Sequence, residues 1–327
     1  MFIAATLTDI LRAYSSQGQG EATPFTQLVY DTYRFIMYHK QAIENSPLQV
    51  YGSALLFSPR QSLVRRLFQH EEPKGLALKP GMSDEWSGCL QTLEGHGSVV
   101  WSVAFSHNST RLASASRDKT VKIWDASSGA CLQTIKGHSS IIYSVAFSHN
   151  STRLASASDD RTVKVWDASG DTCLQTLEGH SDWVRSVVFS HDSTRLASAS
   201  RDRTVKIWDA SSGACLQTLK VGKSLRSLSF DATSSCLFTK IGSIDVSASM
   251  GSRIENVTVL QRPKYLSAGV SLDNKWITCN GKNVLWIPSE YRPLYSSVCR
   301  DRIGIGVRSG RVWICSVNIQ MLSQLYL

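Results

Sequence analysis

The stretch STRLASASRDKTVKIWD, Ser109 to Asp125, returns as STRLASASDDRTVKVWD from Ser151 and as STRLASASRDRTVKIWD from Ser193, each copy 42 residues after the last. Framed as 96–137, 138–179 and 180–221, the three copies are identical at 26 of 42 positions. A chain that repeats at such a period is built of like units, each hiding its apolar face against its neighbours. Within a copy, the segments SVAFS, RLASAS, TVKIWD and CLQTL alternate apolar with polar residues and are divided by the turn-forming SHNS, RDK and SSGA. Period-two alternation rich in β-branched and aromatic residues predicts four short strands per unit.

Four strands in about 42 residues is the content of one β-propeller blade. Each copy opens on a His preceded by Gly (Gly95-His96, Gly137-His138, Gly179-His180) and carries Trp-Asp at Trp124-Asp125, Trp166-Asp167 and Trp208-Asp209. This pairing resembles the WD-repeat signature, in register three times. The fold class expected is therefore all-β, a WD-repeat β-propeller with a short N-terminal helical segment. Ser46 to Leu327 spans about 6.7 periods of the size such repeats take, so seven blades are expected, six being the alternative. Degenerate blades are expected on both flanks. LQVYGSALLFSP, 48–59, and WSGCLQTLEGH, from Trp86, read as strands of an upstream blade. Tyr265–Pro288 reads as three strands with a tight Asn-Gly turn, and Ile303–Val317 as a hairpin around Ser309-Gly310. Residues 1–45 differ: TQLVYDTYRFIMYHKQAIEN has helical apolar spacing and ends before Ser46-Pro47. The expected division is a helical lead over 1–45 and a propeller over 46–327.

The constant letters read as scaffold. The resemblance implies a hydrogen-bonded tetrad in each blade. In the first copy it draws on His96, the serines Ser114 and Ser116, Asp118 and Trp124; in the others on His138, Asp160 and Trp166, and on His180, Asp202 and Trp208. The physical reason is satisfaction, since a covered imidazole and a buried indole N–H both need partners. Ser, His and Asp also make hydrolase triads, but three equal copies without a GxSxG elbow favour structure over catalysis. Val103, Phe105, Leu112, Val121 and Ile123, with their copies, are expected in the core, and Cys131 and its copies as small buried thiols. His107, His149 and His191 read as turn residues spread around the ring, and Arg111, Arg153 and Arg195 as part of a solvated basic rim.

The variable letters cluster. GSVVW (97–101) becomes SSIIY (139–143) and SDWVR (181–185), and the residue before the turn aspartate is Arg117, Asp159 or Arg201. In a WD-repeat blade both clusters map to one face of the ring, around the channel mouth. Val99, Trp101, Ile141, Tyr143, Trp183 and Arg185 are of the types that anchor protein interfaces. With Arg117, Asp159 and Arg201 they form the expected partner-binding face.

LASASRDKTVKIWDASSGACLQT, with DTYRFIMYHKQAIENSPLQVYGSALLFSPRQSLVRRLF before it and GVSLDNKWITCNGKNVLWIPSEYRP after it, resembles the C-terminal propeller region of fungal NACHT-type signalling NTPases, the vegetative (heterokaryon) incompatibility proteins. In that family the propeller is the recognition module. No GxxxxGK[ST] phosphate loop occurs in the sequence. The chain is thus expected to be a non-enzymatic, cytoplasmic interaction scaffold without its NTPase domain, whether truncated or standalone. A general WD-repeat adaptor, of the mitochondrial-fission or ubiquitin-ligase kind, is the alternative. Neither cofactor nor metal is expected: no CxxC pair occurs. The net charge is +9, but basic residues recur at fixed positions of the repeats as a solvated rim would, so a protein partner is expected rather than nucleic acid, a membrane or a small substrate. The start, MFIAATLTDILRAY, lacks the basic region of a signal peptide.

Overall fold

A computed structural model describes residues 24–40, 43, 54–71, 84–86, 91–247, 260–299 and 302–317. They fall into two compact units divided at Gly95–His96, with residues 125–130 grouping with the first. This division differs from the boundary at 45–46 expected above. Residues 1–23, Cys89 and the expected strand segment 48–53 lie outside the described residues.

The first unit is helical. Helix α1 (Pro24–Tyr38) buries Val29, Phe35 and Met37, and a short α2 (Leu63–Leu67) starts on Ser62, whose hydroxyl accepts from Arg65 N. Phe35, Ala54, Leu55 and Val64 form its core. The Asp31 carboxylate ties it together, accepting from Ser62 Oγ at 2.8 Å, Val64 N at 2.7 Å and Trp86 Nε1 at 2.6 Å. Residues 54–56 are helical and 91–99 hold no strand, so the upstream blade is overturned where it can be seen. The apolar run SALLF supplies one face of a small helical core, where strand alternation had been read into too few residues.

Among the described residues the second unit holds six sheets, where seven blades were expected with six as the alternative. Three are complete antiparallel blades of the repeats: β1–β4 (Val100–Phe105, Arg111–Ser116, Val121–Asp125, Cys131–Ile135), β5–β8 (Ile142–Phe147, Arg153–Ser158, Val163–Asp167, Cys173–Leu177) and β9–β12 (Val184–Phe189, Arg195–Ser200, Thr204–Asp209, Cys215–Lys220). Three three-stranded sheets follow: β13–β15 (Leu228–Phe230, Cys236–Thr239, Gly242–Asp245), β17–β19 (Ala268–Val270, Trp276–Cys279, Lys282–Trp286) and β20–β22 (Tyr295–Cys299, Arg302–Gly306, Val312–Ser316). Strand β16 (Leu260–Gln261) adds to β12 in parallel. Asn280 and Gly281 both take positive φ in the two-residue turn between β18 and β19, the left-handed pair that suits a hairpin.

Blades pack through the apolar faces the repeats predict. Val121 and Ile123 of the first meet Val145 and Phe147 of the second, and the second meets the third in the same way. The first blade is the exception. Phe105 is 64% exposed, whereas its copies Phe147 and Phe189 are each 6% exposed; Val103 is exposed too. In the second and third blades these positions pack on the blade before, and no sheet precedes the first among the described residues.

Polar stitches recur beside this packing. The amides of His107, His149 and His191 donate to Ser151, Ser193 and Ser234 of the next blade at 3.0, 2.9 and 3.0 Å. Arg111 donates to the carbonyls of Ala168 and Ser151, Arg153 to Ala210, and Arg195 to Val246 and Ser234. So these arginines are interblade staples and not a solvated rim; Arg195 is buried. The three histidines also come together: His107 and His149 lie 3.7 Å apart by ring centroid, and His149 and His191 3.9 Å apart. They were expected to be spread around the ring, but inner strands of adjacent blades run side by side, and the residues just beyond their ends are carried into one stack. Cys131, Cys173 and Cys215 are exposed free thiols rather than buried ones, because the outermost strand of each blade has one face in solvent. No helix of the described residues is long and apolar enough to cross a membrane.

Candidate recognition face

The constant polar residues form one network, three times over. His96 Nδ1 meets Asp118 Oδ2 at 2.8 Å, His96 Nε2 meets Ser114 Oγ at 2.7 Å, and Trp124 Nε1 donates to Ser114 Oγ at 2.8 Å. The copies on His138, Ser156, Asp160 and Trp166, and on His180, Ser198, Asp202 and Trp208, match it within 0.1 Å. A carboxylate only accepts, so Nδ1–H donates to it. Nε2 then accepts the serine proton, and the serine oxygen accepts the indole N–H. Each serine sits two residues before the alternative: Ser116 instead donates to Ser98 O at 3.2 Å and accepts from Asp118 N.

The sequence reading missed a member. Thr120 Oγ1 and N donate to Asp118 Oδ1 at 2.6 and 2.9 Å, and Thr162 and Thr204 repeat this. The signal was available, since Thr follows the turn aspartate by two residues in all three copies. Burial pushes the three carboxyls upward, but bonds from the histidines, threonines and backbone outweigh it and hold them below the usual carboxylate range.

The order Ser–His–Asp is that of a hydrolytic triad, yet these sets cannot supply a nucleophile. Ser114, Ser156 and Ser198 are buried, and each hydroxyl oxygen already accepts from an indole. Among the described residues no group of His, Cys, Asp and Glu could hold a metal ion.

The network positions the variable residues. By fixing the loop that starts at His96, His138 or His180 against the turn aspartate, it sets the entry of each innermost strand. There the amides of Arg117, Asp159 and Arg201 donate to the carbonyls of Val99, Ile141 and Trp183, each at 2.8 Å. Every variable pair thus sits side by side. The large side chains converge across the blades. Trp101 meets Tyr143 edge-on at 5.8 Å, and Tyr143 stacks with Trp183 at 6.3 Å. Arg185 lies over both Tyr143 and Trp183, at 4.1 and 4.9 Å, and Arg201 over Trp183 at 4.6 Å. Asp182 meets Arg201 Nε at 3.8 Å. Five of the nine expected face residues therefore form one continuous aromatic–guanidinium row. Of the rest, Val99 and Arg117 are exposed and Ile141 is half-buried; Asp159 accepts from Ser140 Oγ at 3.2 Å. These four are not part of the row.

The family model described as "WD domain, G-beta repeat" matches residues 87–125, 129–167 and 171–209. The chain carries three WD40 repeats. Over 102 residues it is 50% identical to vegetative incompatibility protein HET-E-1 of Podospora anserina, a stretch that is 31% of this chain and 8% of that protein. Over 55 residues it is 49% identical to human striatin-4, covering 17% of this chain and 7% of the relative. Over 93 residues it is 43% identical to a probable cytosolic iron-sulfur protein assembly protein 1 of Malassezia globosa, covering 28% and 25%. The chain thus matches only a small part of each relative's length. The likeness to HET-E-1 bears out the WD-repeat resemblance read from the repeats.

Proposed function

We propose that this chain is a non-enzymatic interaction scaffold whose WD40 blades present the row Trp101, Tyr143, Trp183, Arg185 and Arg201 to a protein partner. One observation carries this reading. Residues that differ between near-identical repeats, drawn from three successive repeats between positions 101 and 201 of the chain, meet in one row. Drift at unrelated exposed sites gives no reason for aromatic and guanidinium groups to converge. Trp, Tyr and Arg are the residues on which binding energy concentrates.

The finer proposal is that this is a cytoplasmic recognition module of the fungal incompatibility type, supported by the 50% identity with HET-E-1. A general WD-repeat adaptor is the second reading, favoured by the 49% identity with striatin-4 over a shorter stretch. Proximity labelling with the full chain in its native cell separates the two, since NTPase-domain partners belong to the first and fission or ligase components to the second. Substituting Trp101, Tyr143 and Trp183 by Ala should leave the melting curve in place and abolish the labelling of those partners. Equal labelling by the triple variant overturns the proposal.

A further inference from the structure

Beside the aromatic row lies a cavity of about 880 Å³. Trp183, Arg185 and Arg201 line one side of it, and Lys223, Arg226 and Lys240 another. Arg185 is on β9 and Arg201 in the turn after β10. Lys223 and Arg226 lie between β12 and β13, and Lys240 between β14 and β15. Loops at one end of successive blades thus bring five cations to one opening, and no carboxylate lines it. Lys223 donates to Leu272 O at 3.0 Å and to Asn274 Oδ1 at 2.7 Å. Lys240 is half-buried and its ammonium has no acceptor among the described residues. Burial, and then the charges of Lys223 and Arg226, push Lys240 below the ordinary lysine range. A structural lysine is held by an acceptor; this one is held against like charge.

We propose that this cavity is the seat of a phosphoryl group on a peptide that also lies along the aromatic row. The inference rests on the recognition-face reading and names the partner's chemistry. A phosphoryl group brings close to two negative charges and three acceptor oxygens to one point, where a carboxylate brings a single charge. Five arginines and lysines around an opening that no carboxylate lines match that demand, although Arg201 also meets Asp182 at 3.8 Å. The ligand is a peptide because Trp183 belongs both to the cavity and to the row, so a chain whose phosphate sits among the cations has its neighbouring side chains over Tyr143 and Trp101.

The test uses the full chain and three degenerate peptide pools that share a central phosphoserine, serine or glutamate, read by fluorescence anisotropy. The phosphoserine pool should bind at least about tenfold more tightly than the serine pool, with glutamate between them and inorganic phosphate a weak competitor. Arg226→Gln and Lys240→Gln should each reduce the preference, and Lys240→Gln should hold or raise the melting temperature by relieving repulsion. Equal binding of the phosphoserine and serine pools overturns the proposal, as does inorganic phosphate binding as tightly as the phosphopeptides. A Lys240→Gln chain that melts lower and keeps the preference overturns it too, by showing a structural lysine. The two readings fail separately. If wild type binds all pools alike while the Trp101, Tyr143 and Trp183 triple variant loses them, the phosphate assignment falls and the row stands. If the triple variant binds like wild type, the row falls.

Discussion

Replacing Asp202 by Ala removes four hydrogen bonds from one carboxylate. Its partners are His180 Nδ1 at 2.8 Å, Ser181 N at 3.1 Å, Thr204 Oγ1 at 2.6 Å and Thr204 N at 2.8 Å. Water can reach the amides and hydroxyl near the surface, but the imidazole is covered: the His180 side chain is 1% exposed. Its Nδ1–H keeps only the longer contact to Thr204 Oγ1, 3.3 Å away, so losing the charged acceptor should cost about 1–3 kcal/mol. For a unit of this size each kcal/mol lowers the melting temperature by about 2–4 °C. The three copies give an internal scale. The carboxylates of Asp118, Asp160 and Asp202 are 17%, 10% and 8% exposed, so Ala should cost least at Asp118 and most at Asp202. Urea melts of the three single variants, followed by tryptophan fluorescence, measure this. Asn keeps one acceptor and should fall between Asp and Ala at each site. Equal midpoints for wild type and Asp202→Ala, or a reversed order, would refute the reasoning. Acid acts in the same direction. Because the folded carboxyls lie below their unfolded range, their contribution is full above about pH 4 and is lost as pH falls through the lower folded range.

Other expectations rest on burial. Phe147→Ala should cost about 3–5 kcal/mol, but Phe105→Ala, at the same repeat position and exposed, only about 0.5 kcal/mol or less; equal losses in a urea melt would mean that the first blade is covered. A thiol reagent should label Cys131, Cys173 and Cys215 in the native chain at once and reach the buried Cys279 only on unfolding, and protection of the first three under native conditions would contradict the outer-strand geometry. Burial, with His107 and His191 alongside, lowers His149 below the ordinary imidazole value, and burial lowers His39 to about 4. Both stay neutral in the fold while the unfolded chain takes up protons, so the melting temperature should drop as pH falls below about 6.5. His149→Asn should flatten part of that slope, and an unchanged slope would count against the stacked trio.

The network of His96, Asp118 and Trp124 was legible in the sequence because its spacing recurs three times. The row of Trp101, Tyr143 and Trp183 was legible because near-identical repeats expose whatever differs. What the repeats could not show was relation between copies. His107, His149 and His191 looked separate because sequence distance says nothing of how closely inner strands run. Arg111 and its copies looked like surface charge because their carbonyl partners lie in the next blade. Lys223, Arg226 and Lys240 fall outside the clear repeats, where no aligned copy marks a residue as unusual. SALLF was misread because so short an apolar run fits a helical core as well as a strand.

If constant residues hold the blades and variable ones make the proposed recognition row, making the repeats alike should separate folding from recognition. The segments at 139–143 and 181–185 would both be replaced by GSVVW, the segment at 97–101, and the chain compared with wild type for its urea midpoint and for partners labelled in the cell. The expected result is a loss of stability of about 1–2 kcal/mol, most of it from the buried Ile142→Val change, together with loss of those partners. Collapse of the fold, or unaltered labelling, would contradict it.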